Sequence, residues 1–141
     1  MTKLAEHKFE EIAVGLKKNF RIKITQSLIA SFAEISGDFN PLHMDKRYAK
    51  TTAFGKPICH GMLLASFLSK LVGMYLPGKN ALYFSQSINF QNPAYVDDEI
   101  IVEGEVIDKS VSTRTISIKT TIKNQTNKCL LDGIAKVIVR E

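Results

Sequence analysis

Two residues of the types used in general acid–base catalysis stand close together in a segment rich in turn formers. Asp38 and His43 are five positions apart in residues 37–43, GDFNPLH, with Pro41 between them. An irregular segment of this kind can direct both side chains into one cavity, which a regular strand would not do. A carboxylate and an imidazole that converge on one water molecule form an acid–base pair able to work near neutral pH. The two residues are therefore the candidate catalytic pair.

The same residue types also have a purely structural explanation. Asp38 and Asn40 are typical of Asx turns, in which the side chain accepts a hydrogen bond from the backbone two residues further on. An Asp and a His on a surface loop are usually only solvated, and short motifs give many false matches. Spacing alone therefore leaves both interpretations open, with the structural one favoured.

The other histidine and cysteine positions give weaker indications of chemistry. His60 directly precedes a long apolar segment, where a packed histidine with satisfied hydrogen bonds is favoured over a substrate contact. Cys59 has no motif base beside it, so a buried and inert thiol is expected. Cys59 and Cys129 lack metal-ligand spacing, which predicts no metal site and favours two buried thiols in a reducing compartment.

Helical signals lie on both sides of the candidate pair. Thr25 is a plausible N-cap for a helix over Gln26–Ser36, and Gly37 is suited to end that helix in the left-handed conformation. Asp45 could cap a short helix over residues 46–51. The pair is thus expected in a loop that joins two helices.

The most apolar segment, residues 61–76, reads GMLLASFLSKLVGMYL. Its 16 residues include Lys70, whereas a membrane span needs about 20 mostly uncharged residues. A helix that is apolar on almost every face must be enclosed by other elements. No secretory or transit signal is recognised near residue 1, so we expect a cytoplasmic protein without membrane contact.

Period-two alternation indicates strands, each with one polar face, and hence an antiparallel sheet with one solvated side. The predicted strands lie at residues 19–24, 82–90, 100–106, 115–122 and 131–139. The simplest arrangement wraps a curved sheet around the 61–76 helix, which is the α+β hot-dog fold. One domain over residues 1–141 is expected, with the segment that bears the candidate pair overhanging the start of the helix.

Three stretches of the sequence resemble one enzyme family. Residues 36–43, SGDFNPLH, are similar to the motif of the MaoC-like, or type 2, enoyl-CoA hydratases. Residues 51–58, TTAFGKPI, lead into residues 60–66, HGMLLAS, which look like the start of the family's central helix. The resemblance covers nearly the whole chain and is greatest to the small, single-domain (R)-specific enoyl-CoA hydratases. The GDxNPLH motif is highly specific, whereas the strand half is only generally hot-dog-like.

The resemblance implies reversible hydration of trans-2-enoyl-CoA to (3R)-3-hydroxyacyl-CoA. It assigns catalysis to Asp38 and His43, an orienting role to Asn40, and binding of the thioester oxygen to the backbone N–H of Gly61. An N–H at a helix start, aided by the helix dipole, would stabilise the enolate-like oxygen, and glycine permits close approach. The implied partners are an acyl-CoA substrate, without a cofactor, and a second subunit in a homodimer that forms the acyl-CoA site between its subunits.

One face of the long helix is a candidate acyl tunnel. At 100° per residue, Gly61, Ala65, Ser69 and Val72 share that face with Leu68. Small side chains leave room for an acyl chain, but they also allow close packing of the helix on the sheet. Close packing is favoured for Ala65, and the two interpretations are about even for Ser69. Ser69 and Val72 are therefore predicted as possible tunnel residues.

Other functions remain as alternatives. A 3-hydroxyacyl-acyl-carrier-protein dehydratase would use the same chemistry, and the net charge of +5 allows an acidic carrier without requiring one. A hot-dog thioesterase fits the Asp38–His43 spacing less well than a hydratase. A non-catalytic acyl-CoA binder is disfavoured because both residues are present, and a nucleic-acid binder because basic and aromatic residues are not interleaved. Acyl length, carrier, reaction direction, the residues that bind the CoA phosphates and the proton handled by each catalytic residue stay open.

Overall fold

The computed structural model describes residues 1–141 as an open antiparallel sheet with one long helix packed against it. The helices are α1 (Gln26–Ser36), α2 (Pro41–Met44), α3 (Lys46–Lys50) and α4 (Gly61–Lys70), and a π-helical turn over Leu71–Tyr75 continues α4. The strands are β1 (Lys17–Lys23), β2 (Ala81–Gln86), β3 (Asn89–Phe90), β4 (Glu99–Ser110), β5 (Thr115–Lys123) and β6 (Cys129–Val139). No helix is long and apolar enough to cross a membrane.

The sheet joins the first strand of the chain to the strands of its second half. The strand order is β1-β4-β5-β6-β2, and β3 also pairs with β6. β1 runs antiparallel to β4, with Lys17 opposite Glu105 and Lys23 opposite Glu99. The sheet is not closed, so β1 and β2 are its edges. This topology confirms the expected antiparallel sheet with a central helix.

The core lies between the sheet and α4 and follows from the alternation of the strands. On β4 and β5, the isoleucines and valines of one face are completely buried, whereas their neighbours along each strand are not. Fully burying one such side chain contributes about 1.5–3 kcal/mol to folding. The residues of α4 that pack into this core are Leu63, Leu64, Phe67 and Leu68.

The long helix is less enclosed than its composition predicts. Met62 is 57% exposed, and Ser66 and Ser69 are exposed on the same side of α4. The chain itself covers only the faces that meet the sheet and the neighbouring segments. The expected enclosure of the helix is therefore incomplete within the single chain, because one sheet covers one side of a helix.

Two further predictions needed correction. The segment 82–90 is not one strand but forms β2 and β3. At the break, the side-chain amide of Gln86 donates to the Ser87 carbonyl and to Thr120 Oγ1. Residues 41–44 form the helix α2 rather than the predicted loop. The sequence does not reveal this helix, because four residues are too few to show helical periodicity.

The ends of α1 place the start of the candidate site. The Thr25 side chain accepts a hydrogen bond from the Leu28 N–H at 3.1 Å, as expected for an N-cap. Gly37 ends the helix at φ 78°, and its N–H donates to the Ala33 carbonyl. A left-handed residue turns the chain away from the helix axis at low cost only if it is glycine. The following segment, residues 37–60, is called the overhang below, and it runs from this turn to the start of α4.

Candidate active site

The backbone around Asp38 and Asn40 is set by local hydrogen bonds. Asp38 Oδ1 accepts from the Asn40 N–H at 3.1 Å, and Asn40 Oδ1 accepts from the Leu42 N–H at 2.9 Å. Asn40 is thus the N-cap of α2, and Pro41 occupies the first position of that helix. The predicted Asx turns are therefore present at Asp38 and Asn40, and they determine where α2 begins. Asn40 thereby positions the helix that carries His43.

His43 is oriented by a contact with the far end of the overhang. Its Nδ1 lies 2.8 Å from the Ile58 carbonyl oxygen. Since a carbonyl can only accept, Nδ1 carries a proton, and in the neutral ring Nε2 has a free lone pair. Nε2 lies 3.9 Å from Asp38 Oδ2. The structure therefore brings the two predicted residues together and leaves one atom of each free.

Asp38 and His43 differ in their access to solvent. The Asp38 side chain is 48% exposed and the His43 side chain 14%. A separation of 3.9 Å is too long for a direct hydrogen bond and fits a water molecule that touches both atoms. The carboxylate and the imidazole can therefore share one water at the open side of the site.

The N-terminus of α4 supplies free hydrogen-bond donors. Gly61 and Met62 are its first two residues, and neither N–H donates a hydrogen bond within the chain. The first N–H groups of a helix lack an intrahelical acceptor, and the helix dipole favours negative charge beside them. A developing oxyanion is a suitable acceptor for such donors.

These groups line one cavity of about 430 Å³. Asp38, His43 and Gly61 stand in its wall together with the apolar side chains of Phe54, Met62 and Phe90. The sequence pattern does not indicate a role for Phe54 or Phe90, because Phe54 lies in an irregular segment and Phe90 falls in a predicted continuous strand. Only the tertiary fold brings these side chains to the same place as the acid–base pair.

The two predicted tunnel residues do not line this cavity. Ser69 is exposed on α4. Val72 is 1% exposed and packs in the hydrophobic core with Leu76 and Val106. The cavity of the single chain therefore ends before it reaches either residue.

Cys59 also borders the cavity, but its thiol is expected to be a poor nucleophile. The side chain is buried, and its Sγ lies 3.4 Å from the His60 carbonyl. Burial, assisted by the charge of Asp98, raises the pKa of the Cys59 thiol to about 12. The thiolate needed for nucleophilic attack is therefore scarce at neutral pH. Cys129 is partly exposed, so the expectation of two buried thiols was wrong for that residue.

Asp38, His43 and His60 are the only group that offers a metal ion several ligand atoms. One such atom from each lies within 4.8 Å of the other two. However, His43 Nδ1 and His60 Nε2 both face backbone carbonyls. The ligand atoms that remain without a hydrogen bond are Asp38 Oδ2, His43 Nε2 and His60 Nδ1, and the last of these is buried.

Comparison with known proteins identifies the family. A family model described as "MaoC like domain" matches residues 9–128. The chain belongs to the MaoC-like family. An (R)-specific enoyl-CoA hydratase from Aeromonas caviae is 45% identical over 115 residues, which cover 79% of this chain and 86% of that protein. The solved structure of the (R)-hydratase from A. caviae involved in PHA biosynthesis matches with a TM-score of 0.90 at 40% identity, over 92% of this chain and 98% of that one.

Other MaoC-like relatives have related names. A 3-hydroxybutyryl-CoA dehydratase from Methylorubrum extorquens is 37% identical over 93% of this chain and 83% of its own length. A mitochondrial 3-hydroxyacyl-[acyl-carrier-protein] dehydratase from Arabidopsis thaliana is 33% identical over 79% of this chain and 68% of its own. All of these names describe hydration or dehydration. The predicted MaoC-like resemblance and the hot-dog fold are confirmed by the family match and the structural match.

Proposed function

We propose that this protein is an (R)-specific enoyl-CoA hydratase that adds water reversibly to trans-2-enoyl-CoA and forms (3R)-3-hydroxyacyl-CoA. The observation that carries the proposal is the 3.9 Å gap between Asp38 Oδ2 and His43 Nε2 in a cavity that also contains the N-terminus of α4. Hydratases among its relatives at 35–45% identity support the same reaction. A hydro-lyase needs an activated water and a stabilised enolate, and this cavity offers groups for both.

The water molecule is activated between the pair. In the addition, the Asp38 carboxylate takes a proton as the water oxygen forms its bond to the β-carbon. At the start of the addition His43 carries a proton on both ring nitrogens. It gives the α-carbon the proton of Nε2, since Nδ1 stays bonded to the Ile58 carbonyl. The reaction ends with a protonated Asp38 and a neutral His43, and transfer of that proton back to Nε2 restores the starting state. The reaction balances with water alone, so we propose that it needs no cofactor or metal.

The thioester oxygen is stabilised at the start of α4. Attack at the β-carbon moves charge onto this oxygen, which then accepts a hydrogen bond from the Gly61 N–H. The donor is free within the chain and lies at the positive end of the helix dipole. The acyl chain would extend from this point along the exposed side of α4 toward Ser69, which we retain as a proposed acyl-path residue. Val72 is buried in the core and is not part of this path.

The carrier is proposed to be CoA, whose phosphates need cations. In the sequence, Lys56 lies between Phe54 and Ile58, which both line the cavity. Its Nζ is 4.4 Å from the centre of the Tyr95 ring. The lysine and arginine side chains of the overhang are Lys46, Arg47, Lys50 and Lys56. None of them forms an ion pair within the chain. An acidic carrier protein would also be attracted to them. The acyl-carrier-protein dehydratase therefore remains the second candidate function.

A thioester substrate without phosphates tests whether Lys56 binds the phosphates of CoA. Lys56→Gln should raise KM for crotonyl-CoA about two- to fivefold, which corresponds to one exposed ion pair. It should leave KM unchanged for the crotonyl thioester of N-acetylcysteamine. Lys79→Gln is the matched control, because Lys79 pairs with Glu6 away from the cavity. An equal rise for both substrates would show that Lys56 does not bind the phosphates.

We propose a homodimer in which the partner covers the β2 edge of the sheet. Unpaired strand edges and exposed apolar patches favour association. The exposed apolar side chains on β2, β3 and β6 are Leu82, Phe84, Phe90 and Ile134. Since Phe90 also lines the cavity, a partner there would complete the site. Sedimentation of a fully active 15.8 kDa monomer at micromolar concentration would overturn this assembly.

The proposed location is the cytoplasm, supported by two cysteines that are not joined in a disulfide. Fractionation of cells that express the full chain would test it. Recovery of the protein in an oxidising compartment would contradict the proposal.

The activity itself is tested with crotonyl-CoA. Loss of the enoyl absorbance on addition of enzyme, and its return with the 3-hydroxy product, are expected. Chiral analysis of the product should give the (3R) form. Turnover of crotonyl-acyl-carrier protein with little turnover of crotonyl-CoA would favour the second candidate, and binding of crotonyl-CoA without turnover would leave a non-catalytic acyl-CoA binder.

A further inference from the structure

His60 is a buried histidine packed directly against the acid–base pair. Its side chain belongs to the N-cap residue of α4 and is 2% exposed. Its ring stacks on the ring of His43 with 4.0 Å between centroids and 28° between planes. Phe32 of α1 packs against it in a tilted arrangement, with ring centroids 5.0 Å apart. His60 therefore lies between the end of α1, the start of α4 and the imidazole of His43.

The hydrogen bonds of the His60 ring define its tautomer. Nε2 lies 2.9 Å from the backbone carbonyl oxygen of Asp38. A carbonyl only accepts, so Nε2 carries the proton and donates it. This bond joins residues 22 positions apart, whereas the other hydrogen bonds that hold Asp38 are to Ser36 and Asn40, two positions away. It is thus the long-range anchor of the half-exposed Asp38.

The second ring nitrogen is unusual because Nδ1 of His60 is buried and has no hydrogen-bond partner. Buried polar atoms without a partner are rare and call for an explanation. A residue needed only to fill this space would be apolar. A neutral imidazole explains the arrangement, because it combines a single N–H donor for Asp38 with a flat face for His43.

We propose that His60 is a positioning residue for the hydration reaction, which holds Asp38 through its carbonyl and His43 through ring stacking. The two contacts fix both ends of the 3.9 Å gap in which water is activated. This inference rests on the proposed hydratase function. A displacement of about 1 Å in such a site can cost up to about 10²-fold in rate.

Two variants separate the two contacts of His60. His60→Phe keeps an aromatic face against His43 and removes the donor to Asp38. His60→Gln keeps an N–H donor and removes the stacked ring. Each should lower kcat about 10- to 10²-fold with crotonyl-CoA and change KM less than about twofold, because His60 is only 2% exposed and offers the substrate little surface. His7→Gln, a histidine of the N-terminal segment outside the cavity, is the control and should behave as wild type.

Structural damage alone would give a different pattern. A folded His60→Phe protein with normal kcat would overturn the donor role, and a normal His60→Gln protein would overturn the stacking role. If each variant loses total activity only in proportion to the fraction that is unfolded, and kcat per folded molecule is normal, both roles are overturned.

Nitrogen NMR of the wild-type histidines tests the geometry without any substrate or variant. His60 is expected as the Nε2–H tautomer and neutral His43 as the Nδ1–H tautomer. A His60 ring protonated at Nδ1 and not at Nε2 would overturn the proposal, even if the protein is an active hydratase. Conversely, the expected tautomers in a protein that does not hydrate crotonyl-CoA would refute the proposed function and leave the positioning contacts supported.

Discussion

The overhang and the sheet are stabilised in different ways. In the overhang, only Ala49, Cys59 and His60 are buried, and most other side chains are exposed. Its backbone is held by Asx turns, helix caps and a few long-range bonds, such as that from Cys59 N–H to the Ala94 carbonyl at 2.7 Å. In the sheet, by contrast, one face is excluded from solvent over residues 100–106 of β4 and residues 116–122 of β5. Stability is therefore concentrated in the sheet, and the geometry of the proposed active site in the overhang.

The largest expected effect is on catalysis, from changes to the acid–base pair. Asp38→Asn or His43→Gln should each lower kcat by about 10²–10⁴, which is the usual contribution of positioned acid–base groups. The melting temperature should change little, because both side chains lie in the overhang. Steady-state kinetics with crotonyl-CoA and thermal unfolding measure the two quantities. Asp45→Asn is a suitable control, since Asp45 caps α3 and does not line the cavity.

The double variant tests whether the pair acts on one water. Asp38→Asn with His43→Gln should be little worse than the poorer single variant, because groups that work as a unit are not additive. A loss equal to the product of the two single losses would indicate independent roles. A folded Asp38→Asn protein with near-normal hydration would leave only the structural role of the Asx turn.

The sheet should show the opposite behaviour. Ile118 is fully buried on β5, so Ile118→Ala should lower the free energy of unfolding by about 2–5 kcal/mol and Ile118→Val by about 0.5–1.5 kcal/mol. The kcat per folded molecule should be preserved. Ile107→Ala on the exposed side of β4 is the matched control and should change stability by no more than about 0.5 kcal/mol. Denaturant titration and activity measurements on the same samples would reveal any unexpected coupling.

Gly61 lies where the two regions meet. A Cβ at this position would lie 2.9 Å from Cε1 of Phe90, so Gly61→Ala must push that ring within the cavity. We expect kcat/KM to fall by about 10- to 10²-fold, less than or equal to the loss of one oxyanion donor. In a protein that already carries Phe90→Ala, adding Gly61→Ala should lower kcat/KM by a smaller factor than it does in the wild type. Unchanged kcat/KM in folded Gly61→Ala would show that crowding here is harmless.

The smallest expected effect is a pH dependence of stability. The folded state keeps the Cys59 proton up to a pKa of about 12, whereas an unfolded thiol loses it near pH 8.5. The folded state therefore binds more protons above this pH, and stability falls as pH rises. Between about pH 8 and about pH 10 we expect a loss of about 1–2 kcal/mol that is absent in Cys59→Ala.

Tyr83, whose pKa burial also raises to about 12, contributes only above about pH 10, where an unfolded tyrosine begins to ionise. Cys129→Ala is the control, since Cys129 is partly exposed. Identical alkaline profiles for wild type and Cys59→Ala in denaturant titrations would contradict the assignment to Cys59.

Local features in the overhang and in the helix before it were predictable from residue type. Thr25, Gly37 and Asp45 cap or end helices as expected, because these signals act within two to four residues. Asp38 and His43 were recognised from their motif, and the family match confirms the resemblance from which their roles were taken. The helix α2 was missed because its hydrogen bonds depend on Asn40 and not on an apolar repeat.

The sequence by itself determined the antiparallel sheet, the long helix and the two residues proposed as the acid–base pair. Alternation and capping are encoded in neighbouring residues and need no knowledge of the rest of the chain. Only the tertiary structure decided that Asp38 and His43 stand 3.9 Å apart, that His60 stacks behind them, and that Phe90 reaches Gly61. These contacts join residues up to 29 positions apart. They depend on how the overhang is hydrogen-bonded to the segment around Ala94, and nothing in the local residue pattern specifies that distance.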